Sequence, residues 1–262
     1  MKVCACSFPS MGLCNRLRSL LSAMRFAEKS GATLQLCWPV SPVVSCRFDE
    51  LFTIRVEQAD QPTGEARYFN WRLWVTPGEL PAGWARAYPA QDVNGCAIDF
   101  EYERIPAALQ QEYAALIAKL APRAEIEQRA AKITDAPFVA VHVRDGSDWQ
   151  AWGRATPLAN FIAAMDRYPS ETRFFVSAHT CATIDALQRR YPGRIISQPE
   201  KEYDEPTARR MQDTLVDLLC LARGTELIGT YGSTFSEMAW WLGGCSKRVT
   251  IVEGDRSRFK YL

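Results

Sequence analysis

From residue 137 to residue 253 the sequence alternates short apolar runs with longer helix-like stretches, and that alternation admits few folds. The runs are "PFVAVHVR" (137–144), "RFFVSA" (173–178), "RIIS" (194–197), "ELIGT" (226–230) and "RVTIVE" (248–253). Short and apolar, they read as strands buried on both faces. The segments between them predict helices over Pro157–Tyr168, Ile184–Arg190, Ala208–Ala222 and Thr234–Leu242. Strands and helices in strict alternation make a parallel, doubly wound α/β sheet with helices on both faces. Such sheets bind ligands beyond the carboxyl ends of their strands. The polar loop after Arg144 and the "TYGST" turn after Ile228 both fall at that edge.

The first half starts in the same way, with strand "KVCACSF", turn "PSMGLCN", helix "RLRSLLSAMRFAEKSG" and strand "TLQLCWP". Gly31 is placed to cap that helix at its C-terminus. Residues 57 to 105 carry many Pro and Gly and predict irregular structure with short strands, and helices are expected near Ala107–Leu120 and Arg123–Ile133. "TDAP" (134–137) marks a boundary, giving two Rossmann-like lobes over residues 1–135 and 136–262.

Composition narrows the partners. With 31 Lys plus Arg against 30 Asp plus Glu in 262 residues, the chain has no overall charge that would draw it to nucleic acid or to an anionic membrane. No apolar run is long enough to span a membrane and "MKVCACSFPSMG" is too polar for a signal peptide, so the expected location is the cytoplasm. The nine cysteines are odd in number and scattered, without CxxC pairs or zinc spacing, and read as small buried residues.

Three segments can carry chemistry. "MGLCNRL" (11–17) puts Asn15 and Arg16 at a strand-to-helix turn, where free amides attract anions, although Asn15 as a simple helix cap is an equal alternative. "TYGSTFSEMAWWLGG" (230–244) opens a helix with Ser233 and Thr234, which suits either capping or a phosphate cradle. In "MQDTLVDLLCLA" (211–222) Asp213 and Asp217 lie four apart on one helix face. Two acids so placed are ordinarily solvated, yet Val216, Leu218 and Leu219 around Asp217 suit a partly buried carboxylate with a specific donor. His142 and Arg144, two apart on a buried strand, share one side of it and need partners. The turn at 11–17 is not a GxGxxG fingerprint, and the absence of a Walker motif and of metal-site acids argues against a phosphotransferase or nucleotide hydrolase.

Together, "GLCNRLRSLLSAMRFAEKSGATLQLCWP", "HVRDGSDW" and "VDLLCLARGTELIGTYGSTFSEMAWWLG", in this order, resemble the GDP-fucose-dependent fucosyltransferases. That superfamily contains the protein O-fucosyltransferases, the core fucosyltransferases and the bacterial nodulation fucosyltransferases. The resemblance covers the first forty residues and nearly all of the second half, and leaves about residues 50 to 130 unmatched. It implies two lobes of GT-B type, with the donor nucleotide held mainly by the second and the acceptor by the first. By position it gives Arg144 the contact with the β-phosphate and the departing glycosidic oxygen, and His142 a place in the nucleotide pocket. Asp217 then accepts hydrogen bonds from guanine, Ser233, Thr234 and Phe235 surround the pyrophosphate and base, and Asn15 stands for the asparagine of a Gly-x-Gly-Asn turn. Cys14 occupies the usual second glycine of that turn.

The implied reaction is an inverting transfer of fucose from GDP-fucose, or a close GDP-sugar, to an acceptor hydroxyl on a glycan, a lipid-linked sugar or a peptide. The alternative is a protein that binds the GDP-sugar or nucleotide without transferring it. A fixed guanidinium and helix amides answer the charge on the leaving diphosphate, so no metal or other cofactor is expected. No Asp-x-Asp signature occurs, and the acids of "DFE" (99–101) and "EYDE" (202–205) read as surface residues. Asp145, Asp148 and Glu237 are possible bases for the acceptor hydroxyl, and Trp71, Trp74 and Trp84 form either an acceptor platform or core.

Overall fold

In the computed structural model of the protein, the described residues are 1–76, 78–80, 87–90, 93–98, 105–134, 136–144 and 156–254. The chain divides into two compact units, one of Met1–Arg123 and Pro206–Met211, the other of Ala124–Glu205 and Gln212–Leu262.

The first unit is built on strands β1 (Lys2–Cys6), β2 (Thr33–Cys37), β3 (Glu57–Gln58) and β4 (Ala66–Tyr68), all parallel, in the order β3-β2-β1-β4. Helix α1 (Leu13–Ser30) connects the first two. It ends as its sequence requires: Gly31 takes a left-handed φ of 66° and its N–H bonds the Ala27 carbonyl. The irregular segment contains a small antiparallel sheet of β5 (Leu73–Val75), β7 (Cys96–Ile98) and β6 (Ala87–Pro89). Trp74 is core there, with its indole N–H on the Asn94 carbonyl at 3.2 Å, while Trp71 is exposed and Trp84 lies outside the described residues. Helix α2 (Ala107–Ala118) completes the unit.

The second unit carries a five-stranded parallel sheet, β10-β9-β8-β11-β12, of β8 (Val139–Val143), β9 (Phe174–Ala178), β10 (Ile195–Ile196), β11 (Glu226–Thr230) and β12 (Val249–Val252). Its helices are α3 (Ala124–Ile133), α4 (Leu158–Met165), α5 (Cys181–Arg190), α6 (Ala208–Arg223, whose first turn belongs to the first unit) and α7 (Thr234–Leu242). Alternate positions divide the strands between two faces. Val139, Val141, Val143, Phe174 and Val176 pack with Phe161 and Met165 of α4 and Ile184 and Leu187 of α5. On the other face Gly229 admits α7 closely, since a Cβ on it would stand 3.0 Å from Ser236 Cβ. The doubly wound arrangement read from the alternation is therefore present. Helix α3, which a boundary at 134–137 leaves in the first lobe, groups with the second unit. Ile126 and Ala130 are buried, Arg129 pairs with Asp213, and Glu127 pairs with Arg223.

Among the described residues, no helix is long and apolar enough to cross a membrane, no group of His, Cys, Asp and Glu is arranged to hold a metal, and all nine cysteines are free.

Candidate functional site

In the second unit the chain runs from β8 to β9 and β10 on one side, then returns to β11 and β12 on the other. The carboxyl ends of β8 and β11 are thus the topological switch point, the position at which open α/β sheets bind ligands. The residues there are His142, Arg144, Thr230 and the start of α7.

A single hydroxyl ties the two strand ends together. Thr230 Oγ1 donates to the His142 carbonyl at 2.8 Å and accepts from the Arg144 N–H at 3.1 Å. This fixes the backbone of Arg144 one residue past the end of β8. His142 is buried, its Nδ1 is 2.7 Å from Ser236 Oγ, and its ring lies 4.9 Å from that of Phe235. Burial, and after it the charges of Arg144, Lys201 and His179, lower its pKa from 6.5 to about 3, so the imidazole is neutral at ordinary pH. The folded pKa lies below the unfolded one, so the contribution to stability is complete above pH 6.5 and is lost as pH falls towards 3. Each unit in that window costs up to about 1.4 kcal/mol. Urea denaturation of His142→Gln should show a shallower loss of stability between pH 6.5 and 4.5 than wild type; an equal slope would assign that loss to other groups.

Gly232, at φ 65°, turns the chain into α7. Ser233 occupies the N-cap position, yet its side chain makes no capping hydrogen bond. The first bond of the helix is Glu237 N–H to the Ser233 carbonyl, so the amides of Thr234, Phe235 and Ser236 precede the ladder and carry the positive end of the helix dipole. Of the two alternatives for Ser233, capping by the side chain is the one this geometry lacks.

The two aspartates of α6 are not solvated: Asp213 and Asp217 are 0% and 2% exposed. Asp213 takes the guanidinium of Arg129 and, at 2.9 Å, the Glu202 N–H. Asp217 Oδ2 accepts from Lys201 Nζ at 2.6 Å and Ser177 Oγ at 2.7 Å, and among the described residues Oδ1 has only Gln198 Nε2 at 3.4 Å. Burying a charge on an apolar helix demands such a partner. Lys201 also reaches the Ala178 carbonyl at 3.1 Å, which joins the pair to the end of β9. In "EYDE", Asp204 and Glu205 are exposed as expected.

In the first unit Asn15 is the third residue of α1 and Gly12 holds the N-cap position, so Asn15 does not cap the helix. Its Oδ1 is buried without a hydrogen-bond partner among the described residues. Cys14, where the resemblance expects glycine, turns its side chain into the interior and is 3% exposed. Arg16 is no anion ligand. It is fully buried, with Nε on the Met11 carbonyl at 2.9 Å, Nη1 on the Pro39 carbonyl at 2.5 Å and Nη2 on Ser41 Oγ at 3.1 Å. Burial lowers its pKa to about 10, and the guanidinium clamps two loops.

The structure brings His142, Arg144, Ser233, Thr234 and Phe235 to one sheet edge, sets Asp217 beside β9 on α6, and leaves Asn15 to the other unit. Asp145, Asp148 and the acids at 99–101 lie outside the described residues; Glu237 is in the first turn of α7. Thr230, Ser236, Ser177 and Lys201 carry interactions that sequence reasoning did not assign. Thr230, Ser177 and Ser236 stood inside quoted segments, and Lys201 did not.

No family model matches the chain, and no curated protein does. Solved structures do. The NodZ α-1,6-fucosyltransferase soaked with GDP-fucose is similar over 99% of this chain and 96% of its own, at 18% identity and a TM-score of 0.61. POFUT1 in complex with GDP-fucose is similar over 95% and 96%, at 14% identity and a TM-score of 0.58. A variant of Arabidopsis thaliana FUT1 in complex with GDP is similar over 99% and 72%, at 13% identity and a TM-score of 0.51. At such identities the likeness is one of fold, and it spans both units.

Proposed function

We propose that the protein is a glycosyltransferase that moves fucose from GDP-fucose, or a close GDP-sugar, to an acceptor hydroxyl with inversion and without a metal. The observation that carries this reading is the construction of the switch point of the second unit, in a fold shared with structures that hold GDP-fucose. There Thr230 ties Arg144 to the strand edge beside the open amides of α7.

The second unit holds the donor in this reading. The diphosphate lies at the N-terminus of α7 near Ser233 and Thr234, with Phe235 and His142 beside the nucleotide and Asp217 Oδ1 reading guanine. As the bond from C1 to the β-phosphate breaks, negative charge gathers on the diphosphate. A guanidinium held at a rigid strand end stabilises it by two-point contact and cannot lose its proton. Helix amides add fixed dipoles aimed at the same charge. Asn15, at the start of α1, belongs to the first unit, which takes the acceptor.

Two measurements test the reading. GDP should raise the melting temperature while ADP and UDP do not, since a ligand at one hundred times its Kd stabilises by about 2.7 kcal/mol; equal shifts with ADP would remove the guanine assignment. GDP release from GDP-fucose should persist in excess EDTA. Activity lost to chelator and restored by magnesium or manganese would show that the diphosphate charge is not met by Arg144 and α7 alone. A protein that binds GDP but releases none from GDP-fucose, with or without acceptors, is a binder and not a transferase.

A further inference from the structure

We propose that Ser236 locks His142 in the tautomer that carries its proton on Nε2, so that a neutral imidazole offers an N–H donor at the switch point of the second sheet. The protons around one hydroxyl fix this tautomer. Among the described residues Ser236 Oγ has two hydrogen-bonding neighbours, the Thr230 N–H at 3.1 Å and His142 Nδ1 at 2.7 Å. A backbone amide only donates, so the first contact uses a lone pair of Oγ. Ser236 is fully buried, and among the described residues its own O–H has one acceptor within reach, His142 Nδ1. Reversing that bond would leave the hydroxyl proton buried without a partner, which is costly. The hydroxyl therefore donates to Nδ1, and the single proton of the neutral ring resides on Nε2.

The lock is rigid because its parts are. Gly229 lets the first turn of α7 press against β11, and a side chain there would push Ser236 away. Thr230 contributes its N–H to Ser236 and its hydroxyl to the His142 carbonyl, so both ends of the bond hang from one residue. Phe235 lies beside the ring at 4.9 Å and restricts its rotation. Nε2 has no hydrogen-bond partner among the described residues. Two consequences follow for the proposed reaction, and they rest on the GDP-sugar reading. His142 donates to an oxygen of the diphosphate or sugar without adding charge. It is also excluded as the base for the acceptor hydroxyl, since one ring nitrogen is protonated and the other is occupied. Ser236 is thus a positioning residue that acts through His142.

The test is a long-range proton–nitrogen NMR correlation on ligand-free, full-length protein labelled with ¹⁵N-histidine at neutral pH, the His142 signals being assigned by their loss in His142→Gln. The expected spectrum shows one neutral tautomer, protonated at Nε2, and Ser236→Ala converts it to a tautomer mixture. In the same variant GDP binding, read by calorimetry, should weaken about three- to tenfold, as for one misdirected neutral hydrogen bond. A wild-type ring protonated at Nδ1, or averaged between tautomers, overturns the proposal, and this holds even where Ser236→Ala does not fold. An Ser236→Ala spectrum identical to wild type overturns it too. Wild-type protein that takes up no GDP ends the reading in the preceding subsection, while the spectrum still decides the lock.

Discussion

Arg144→Ala is expected to slow fucosyl transfer by about 10²–10³-fold, the loss typical of one preorganised contact to charge that develops in the transition state. The ground-state diphosphate is held as well by the amides of α7, so GDP affinity should fall far less than the rate. Stability should change little, because the tie between strand ends uses the Arg144 N–H, which every substitution except proline retains. Arg144→Lys should recover little of the rate, since an ammonium is a point charge without the planar fork. Melting temperature, GDP affinity by calorimetry and single-turnover release of GDP separate the possibilities. If activity falls only as far as the folded fraction does, the guanidinium is structural. A well-folded Arg144→Ala protein with near wild-type turnover ends the catalytic assignment.

How much of this was legible in the sequence depends on how local each cause is. The parallel strands of the second unit announce themselves because burial on both faces makes "FVAVHV" and "RFFVSA" apolar throughout, and helices must intervene between parallel neighbours. Gly31 is legible for the same reason, since a left-handed residue at a helix end is a property of three or four neighbouring positions. Residues 57–105 were legible as irregular structure with short strands, but the pairing of those strands was not. Strand β5 is three residues long and exists through pairing with Cys96–Ile98, more than twenty positions on, which no local periodicity records.

The site divides along the same line. The apolar neighbours of Asp217 signalled its burial, but its partner Lys201 lies 16 residues away across a loop and leaves no mark on the helix pattern. Arg16 shows the converse error. At the mouth of a helix it looks like an anion ligand, and the carbonyl and hydroxyl that occupy it, Pro39 and Ser41, come 23 and 25 residues later. Serines such as Ser236 carry no signal of their own. Its role emerges only where β8, β11 and α7 converge.

The second large effect concerns the buried pair, and it separates a structural role for Asp217 from a reading of guanine. Lys201 and Asp217 have side chains 11% and 2% exposed, 2.6 Å apart. Asp217→Asn leaves an ammonium in the interior without its counter-charge, and breaking such a pair costs about 3–5 kcal/mol. Urea denaturation should show that loss. Lys201→Met in the same chain should recover most of it, because removing both charges also removes the desolvation that each incurred. That double variant is the useful one, since it is folded and lacks the carboxylate. Asp217 Oδ1, with only the 3.4 Å contact to Gln198 among the described residues, has the lone pairs to accept from the N1 and N2 hydrogens of guanine. An asparagine there keeps one acceptor and turns a donor towards the second hydrogen, so the preference for GDP over ADP should largely disappear from the thermal shifts. If the stable double variant still selects GDP, then Asp217 serves the fold alone and the base is read elsewhere.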